Sequence, residues 1–263
     1  MSMKERSESP VNMSLGKPAR EGDFILQRRA RLVRVFAPSL GGDLLDYGCG
    51  NGAQTLCFLN EFSTVVGVDV ESVSINEFQA TLVAREMTGK VRALLYDGDR
   101  LPLPDGSCDG AVSFEVLEHV SDERASLAEI RRVLRPDGWL VMTVPNRWWL
   151  FETHGASLPL LPWNRVPLFS WLPKRIHDRW ARARIYRRRE IRRLVTECGF
   201  AVSKDAYVTA PLDVLRWRSL RDVLRRTLFR ADTAAIPFFA TAVLVVARRT
   251  SDKNSSLQQL RGL

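Results

Sequence analysis

The chain has 263 residues, 45% of them hydrophobic, which is enough for one domain with additions around a sizeable core. A formal net charge of +9 admits an anionic partner (nucleic acid, acidic lipid or a phosphorylated substrate) without choosing among them. The four cysteines form no C-x-x-C pair, which argues against a disulfide framework and a metal site and for small buried thiols in a reducing compartment.

Residues 1–18 have no hydrophobic periodicity and are expected to be disordered; residues 19–263 read as one domain. The polar start, mixed in charge, does not look like a signal peptide. Residues 23–36 predict a basic helix with Leu32, Val33 and Phe36 on one face. It precedes the first strand, where it can either cover a ligand mouth or pack on the sheet edge.

The next stretch organises the rest. Leu44-Leu45-Asp46-Tyr47-Gly48-Cys49-Gly50-Asn51-Gly52 takes an apolar run through an acid into three glycines on alternate positions. Glycines let the chain turn sharply and bring backbone N–H groups close to a ligand. Residues 54–60 predict a short helix facing that ligand. Residues 65–68 are a buried strand closed by Asp69, a carboxylate placed to accept both hydroxyls of a ribose. The glycines also satisfy the dinucleotide pattern G-x-G-x-x-G/A, a weak signal alone. Asp46 argues the other way, because a carboxylate repels a pyrophosphate and attracts an ammonium. S-adenosylmethionine (SAM) has that ammonium, a sulfonium and a ribose.

Residues 72–87 predict a helix, 91–96 a third strand ending at Asp97-Gly98, and 109–114 a fourth ending at Glu115. Ser121 is placed to cap the following helix, whose buried stripe is Leu127, Ile130 and Leu134. Pro136-Asp137-Gly138 turns into a fifth strand, 139–144. This alternation predicts an α/β, doubly wound, mostly parallel seven-stranded sheet, a Rossmann-like arrangement with ligands at the carboxyl ends of its strands. Asp46, Asp69, Asp97 and Glu115 all fall at such ends.

Residues 145–185 are too long for a plain connection and rich in Trp, Pro and Arg, which suggests a substrate-covering insertion. Residues 174–193 are densely basic, with Ile191, Leu194, Val195 and Cys198 sharing a helical face up to Gly199. Residues 202–208 are a sixth strand, 212–230 a basic amphipathic helix, and 238–246 the last strand. The tryptophans and arginine-rich helices have the composition of a surface that meets an anionic membrane. The longest apolar run, 234–247, contains Pro237 and falls short of the roughly 20 residues of a spanning helix, so a cytoplasmic location is expected, with membrane association as an option.

The motifs Asp46-Tyr47-Gly48-Cys49-Gly50-Asn51-Gly52, Gly67-Val68-Asp69, Leu101-Pro102-Leu103-Pro104-Asp105-Gly106-Ser107-Cys108-Asp109 and Glu115-Val116-Leu117-Glu118-His119-Val120, in this order, resemble those of class I SAM-dependent methyltransferases. The resemblance covers residues 40–146 and is closest to the small-molecule branch that includes quinone-biosynthesis methyltransferases. It implies that Gly48, Gly50 and Gly52 line the methionine and ribose of SAM, with Asp46 near the amino group. Asp69 would hold the ribose hydroxyls, Val70 and Gly98 would flank the adenine, and Asp97 would accept from its amino group. Phe114 and Glu115 would lie near the sulfonium, unless Glu115 caps the next helix. An oxygen or nitrogen acceptor needs a proton acceptor, for which His119 and His154 are the candidates; His177 is expected at the surface. The expected activity is methyl transfer, as O-methylation, to a small-molecule or lipid-like acceptor. RNA methylation, a non-catalytic SAM-binding protein and a nicotinamide-dependent oxidoreductase are the competing readings.

Overall fold

A computed structural model describes residues 20–151, 167–212, 215 and 217–251. The expected disorder of 1–18, His154 and most of the predicted cover lie outside these residues. Five strands run parallel: β1 (Asp43–Tyr47), β2 (Thr64–Asp69), β3 (Val91–Leu95), β4 (Cys108–Phe114) and β5 (Leu134–Pro145). They are followed by β6 (Phe200–Thr209), a two-residue β7 (Thr233–Ala234) and β8 (Ala240–Arg249). The order across the sheet is β3-β2-β1-β4-β5-β8-β6-β7, with β8 antiparallel to both β5 and β6. The sheet therefore has eight strands; the one added to the expected seven is β7, too short to show an alternating pattern.

Successive side chains of a strand point to opposite faces, and both faces are covered here. Leu44, Val65, Val112, Val141 and Leu244 enter one core with Leu32 and Val33 of helix α1 (Phe24–Phe36) and Ile75 and Phe78 of α2 (Ser72–Ala84). Leu45, Val66, Ala111, Leu140 and Val243 enter the other, with Leu127 and Ile130 of α3 (Glu123–Val133). Strands buried on both sides read as unbroken apolar runs, which is why these segments were recognisable.

Several elements differ from expectation. Residues 54–60 make only one 3-10 turn, Thr55–Phe58, which suffices to set Phe58 against Phe62 at 6.4 Å between ring centres. The cap of α3 is Asp122, not Ser121: its carboxylate accepts from the N–H groups of Arg124 and Ala125. The basic segment after the cover splits into α4 (Lys174–Trp180) and α5 (Arg188–Glu197). His177 is fully buried in α4, 5.1 Å from the Phe169 ring, and not at the surface. The helix expected over 212–230 is described as α6 (Arg218–Arg226). Pro237–Phe239 forms a turn, so the last strand begins at Ala240. Cys49 and Cys108 are buried as expected, whereas Cys57 and Cys198 are only half-buried. Among the described residues no helix is long and apolar enough to cross a membrane.

Candidate active site

From β1 the chain winds outward through β2 and β3, then returns to place β4 against the other side of β1. Connections leave β1 and β4 in opposite directions, which opens a crevice at their carboxyl ends. The glycine loop fills the lip of that crevice. Gly48 and Cys49 both donate backbone N–H groups to the Val68 carbonyl, at 2.9 and 3.0 Å. Gly48, Gly50 and Gly52 have φ of 78°, 52° and 80°. A Cβ on Gly48 would stand 2.3 Å from the Val116 side chain, and one on Gly52 2.1 Å from the Phe78 ring. Those two glycines are thus demanded by the protein's own packing as well as by the turn. Gly50 donates to Asp69 Oδ2 at 2.8 Å, and Glu71 N–H to Asp69 Oδ1 at 3.0 Å, so the carboxylate at the end of β2 is locked onto the loop.

Asp46 lies beneath, 2% exposed, accepting from the Thr55 hydroxyl at 2.6 Å. Burial pushes its carboxyl up to about 6, against the Thr55 bond and helped by the neighbouring Asp69 charge. Beyond Asp69, Val70 is exposed and faces Gly98, whose Cβ would lie 3.8 Å from Val70 Cγ1. Asp97 is exposed, and its Oδ1 accepts from the N–H groups of Asp99 and Arg100, which lowers its pKa.

At the end of β4, Phe114 is buried and Glu115 takes a left-handed backbone, φ 58°. Such a conformation is rare away from glycine and clusters at functional sites. Thr143 Oγ1 donates to Glu115 Oε1 at 2.9 Å, and Arg29 Nη2 stands 3.8 Å from the same oxygen. Glu115 does not cap α3; Asp122 does. The Arg29 guanidinium also lies 5.4 Å from the Phe114 ring centre, its side chain 14% exposed. Burial raises the Glu115 carboxyl against the pull of Arg29. It raises that of fully buried Glu118 well above the ordinary value, reinforced by Glu115. His119 is nearly buried, with Nε2 3.9 Å from Glu118 Oε1.

Asp46, Asp69 and Glu115 thus converge from three adjacent strands, with one guanidinium among them. A pyrophosphate would meet mostly repulsion there; a ligand bearing an ammonium, a sulfonium and ribose hydroxyls meets complementary charge. The residues present fit SAM. Arg29 was missed in the sequence because a basic helix face gives no sign of which arginine turns inward. Thr143 and Thr55 carried no signal either, while Glu118 sat inside a recognised motif without an assigned part.

The sequence profile of a methyltransferase domain matches residues 45–142. An O-methyltransferase of Pyrenophora dematioidea is 39% identical over 101 residues, 38% of either chain. A probable S-adenosylmethionine-dependent methyltransferase of Mycolicibacterium smegmatis is 32% identical over 124 residues, 47% of this chain and 45% of that one. The matched stretches span less than half the length of these relatives. A solved S-adenosylmethionine-dependent methyltransferase from Mesorhizobium loti superposes with a TM-score of 0.58 at 21% identity, covering 85% of this chain and 100% of the other. Geranyl diphosphate C-methyltransferase from Streptomyces coelicolor gives 0.58 at 15% identity, covering 85% and 77%. At such identities the structures share the fold.

Proposed function

We propose that this chain, whose residues 45–142 match a methyltransferase domain, is a class I SAM-dependent methyltransferase that methylates an oxygen of a small-molecule or lipid-like acceptor. The observation that carries the reading is the acid cradle at the β1, β2 and β4 ends, Asp46, Asp69 and Glu115. Relatives named as O-methyltransferases support oxygen as the acceptor atom.

SAM, when bound, supplies an electrophilic methyl group on a sulfonium. The residues assigned to holding it are Gly48, Gly50, Gly52, Asp46 and Asp69, with Val70, Asp97 and Gly98 at the adenine and Phe114 and Glu115 beside the reacting centre. Arg29, 3.8 Å from Glu115 and 5.4 Å from the Phe114 ring centre, opposes the upward pull of burial on the Glu115 carboxyl. Because the leaving group is good, alignment of the acceptor oxygen and exclusion of water supply most of the acceleration. The His119 imidazole would take the proton that an acceptor hydroxyl gives up when its oxygen gains the methyl group and the donor's S–CH3 bond breaks; Glu118 Oε1 stands 3.9 Å from its Nε2.

Calorimetry with SAM and its demethylated product tests the cradle; heat with a nicotinamide dinucleotide and none with SAM would refute it. Labelled methyl transfer to cell extracts, partitioned between organic and aqueous phases, tests the acceptor class. His119→Gln should lower turnover at least tenfold while SAM affinity survives; unaltered turnover removes His119 from this role. His154, the other candidate from the sequence, is tested by the same pair of measurements on His154→Ala.

A further inference from the structure

We infer that the face formed by α6 and the aromatic cluster beside it docks on an anionic lipid surface. None of the described side chains of α6 is buried. Trp217 is 75% exposed, and Leu220, Val223 and Leu228 are exposed with it. The helix is nevertheless anchored. Leu224 packs on the small cluster of Trp149, Ala210, Leu212 and Phe229. Arg225 donates to the Pro211 carbonyl and lies 4.3 Å from the Phe24 ring centre. The helix thus turns one apolar residue inward and leaves its other apolar residues to the solvent.

Further aromatic side chains lie beyond the helix, reached through the buried Phe229 ring. Phe229 contacts Phe239 at 5.5 Å between ring centres, and the adjacent Phe238 contacts Trp171 at 5.4 Å and Trp148 at 6.1 Å. Phe238, Phe239 and Trp171 are all exposed. Cations border the belt. Arg218, Arg226 and Arg230 are exposed on and just after α6, against one exposed acid on that helix, Asp222. Arg187 is exposed with its guanidinium 5.6 Å from the Trp148 ring centre.

This is the chemistry of an interfacial helix: aliphatic side chains reach the acyl boundary, tryptophans sit at headgroup level and arginines meet lipid phosphates. A nucleic acid would use the arginines and could stack on the rings. It has no use for exposed Leu220 and Val223 on the same helix or Leu228 just after it, so the lipid surface is the better fit. Docking needs no methyl donor and stands apart from the proposed activity.

Flotation of the full chain tests this with vesicles of phosphatidylcholine alone and of equimolar phosphatidylcholine and phosphatidylglycerol, without SAM. The chain should float with the anionic vesicles and remain behind with the neutral ones. Raising salt from about 0.1 to about 1 M shortens the screening length from about 10 to about 3 Å and should release most of it. Arg218→Glu and Arg226→Glu should each lower partitioning by roughly fivefold or more. The triple change Trp217→Ser, Leu220→Ser, Val223→Ser should lower it at least tenfold at unchanged circular dichroism. Arg92→Glu, at an exposed position on β3, is the control for net charge. Equal recovery from both vesicle types overturns the inference, as does an Arg92→Glu loss equal to that of Arg218→Glu. Vesicle-free protein that binds a labelled RNA, or dimerises in a way the triple change abolishes, assigns the face to another partner and also overturns it.

Discussion

Asp46 is held where its charge is costly. Nothing in the fold needs a carboxylate beneath a glycine loop, and burial lifts its pKa to about 6 from an ordinary 3.8. A group with a raised folded-state pKa binds its proton more tightly in the native chain. Its contribution to stability is complete below about 4 and is lost as pH rises through about 6. Ionising it in the folded chain therefore costs on the order of 3 kcal/mol at neutral pH, at about 1.4 kcal/mol per unit. A residue kept at such a cost points to a ligand that recovers it. Asp46→Asn should melt no lower than the parent at pH 7.5, and higher if the Thr55 hydroxyl reorients to the new amide. Its SAM affinity should drop at least tenfold. In the parent, SAM affinity should weaken as pH falls from 7 towards 5, and calorimetry across that range checks it. Asp46 was legible in the sequence because an acid at a strand end before glycines is a local pattern. Arg29 was not, because its meeting with Glu115 joins residues 86 positions apart, and spacing along a chain carries no trace of such a pairing.

At the scale of elements, β1, β2 and β4 were legible nearly to the residue, since burial on both faces makes each an apolar run ending at or beside an acid; β5 was not, because it begins at Leu134 and runs through Pro136-Asp137-Gly138, which had the look of a turn before the strand. The single turn Thr55–Phe58 and α6 were overread as longer helices, because periodicity shows which residues can share a face but not where tertiary packing ends it. The attachment of α1 was hidden for a related reason. Arg28, 1% exposed, donates to the carbonyls of Thr209, Ala210 and Phe229 and to Asp232. One guanidinium thereby ties the first helix to two segments of the C-terminal third, residues 209–210 and 229–232, and fixes the next residue, Arg29, over the crevice. Removing it strands several carbonyls that water cannot fully reach, each worth about 1–3 kcal/mol. Arg28→Ala should lose about 3 kcal/mol or more in urea unfolding. Arg31→Ala, whose exposed guanidinium pairs with the same Asp232, should lose about 1 kcal/mol or less. Of the two, only the Arg28 change should also weaken SAM binding, since it alone releases the helix that carries Arg29.

For the whole molecule, the crevice is a seam. Asp46, Asp69 and Asp97 come from β1, β2 and β3, whereas Glu115 follows β4, is bonded from β5 through Thr143, and is faced by a helix tied to β6 and its sequel. A ligand in that seam is bound only while both sides are folded. It should therefore stabilise the chain as a unit. At about 100 times its dissociation constant, a ligand adds about 2.7 kcal/mol. For a chain of this size, each kcal/mol moves the melting temperature by roughly 2–4 °C. SAM or its demethylated product should accordingly raise the melt by about 5–10 °C in a single transition, with no shift from a nicotinamide dinucleotide and about half that rise or less in Asp46→Asn. If the sheet is instead two loosely coupled halves, an early transition will appear that the ligand leaves in place. Differential scanning calorimetry distinguishes the two outcomes, because a split would also separate the heat of the β5–β8 side from that of β1–β3. The continuous ladder from β1 through β4, β5 and β8 to β6, with apolar cores on both of its faces, favours one cooperative melt.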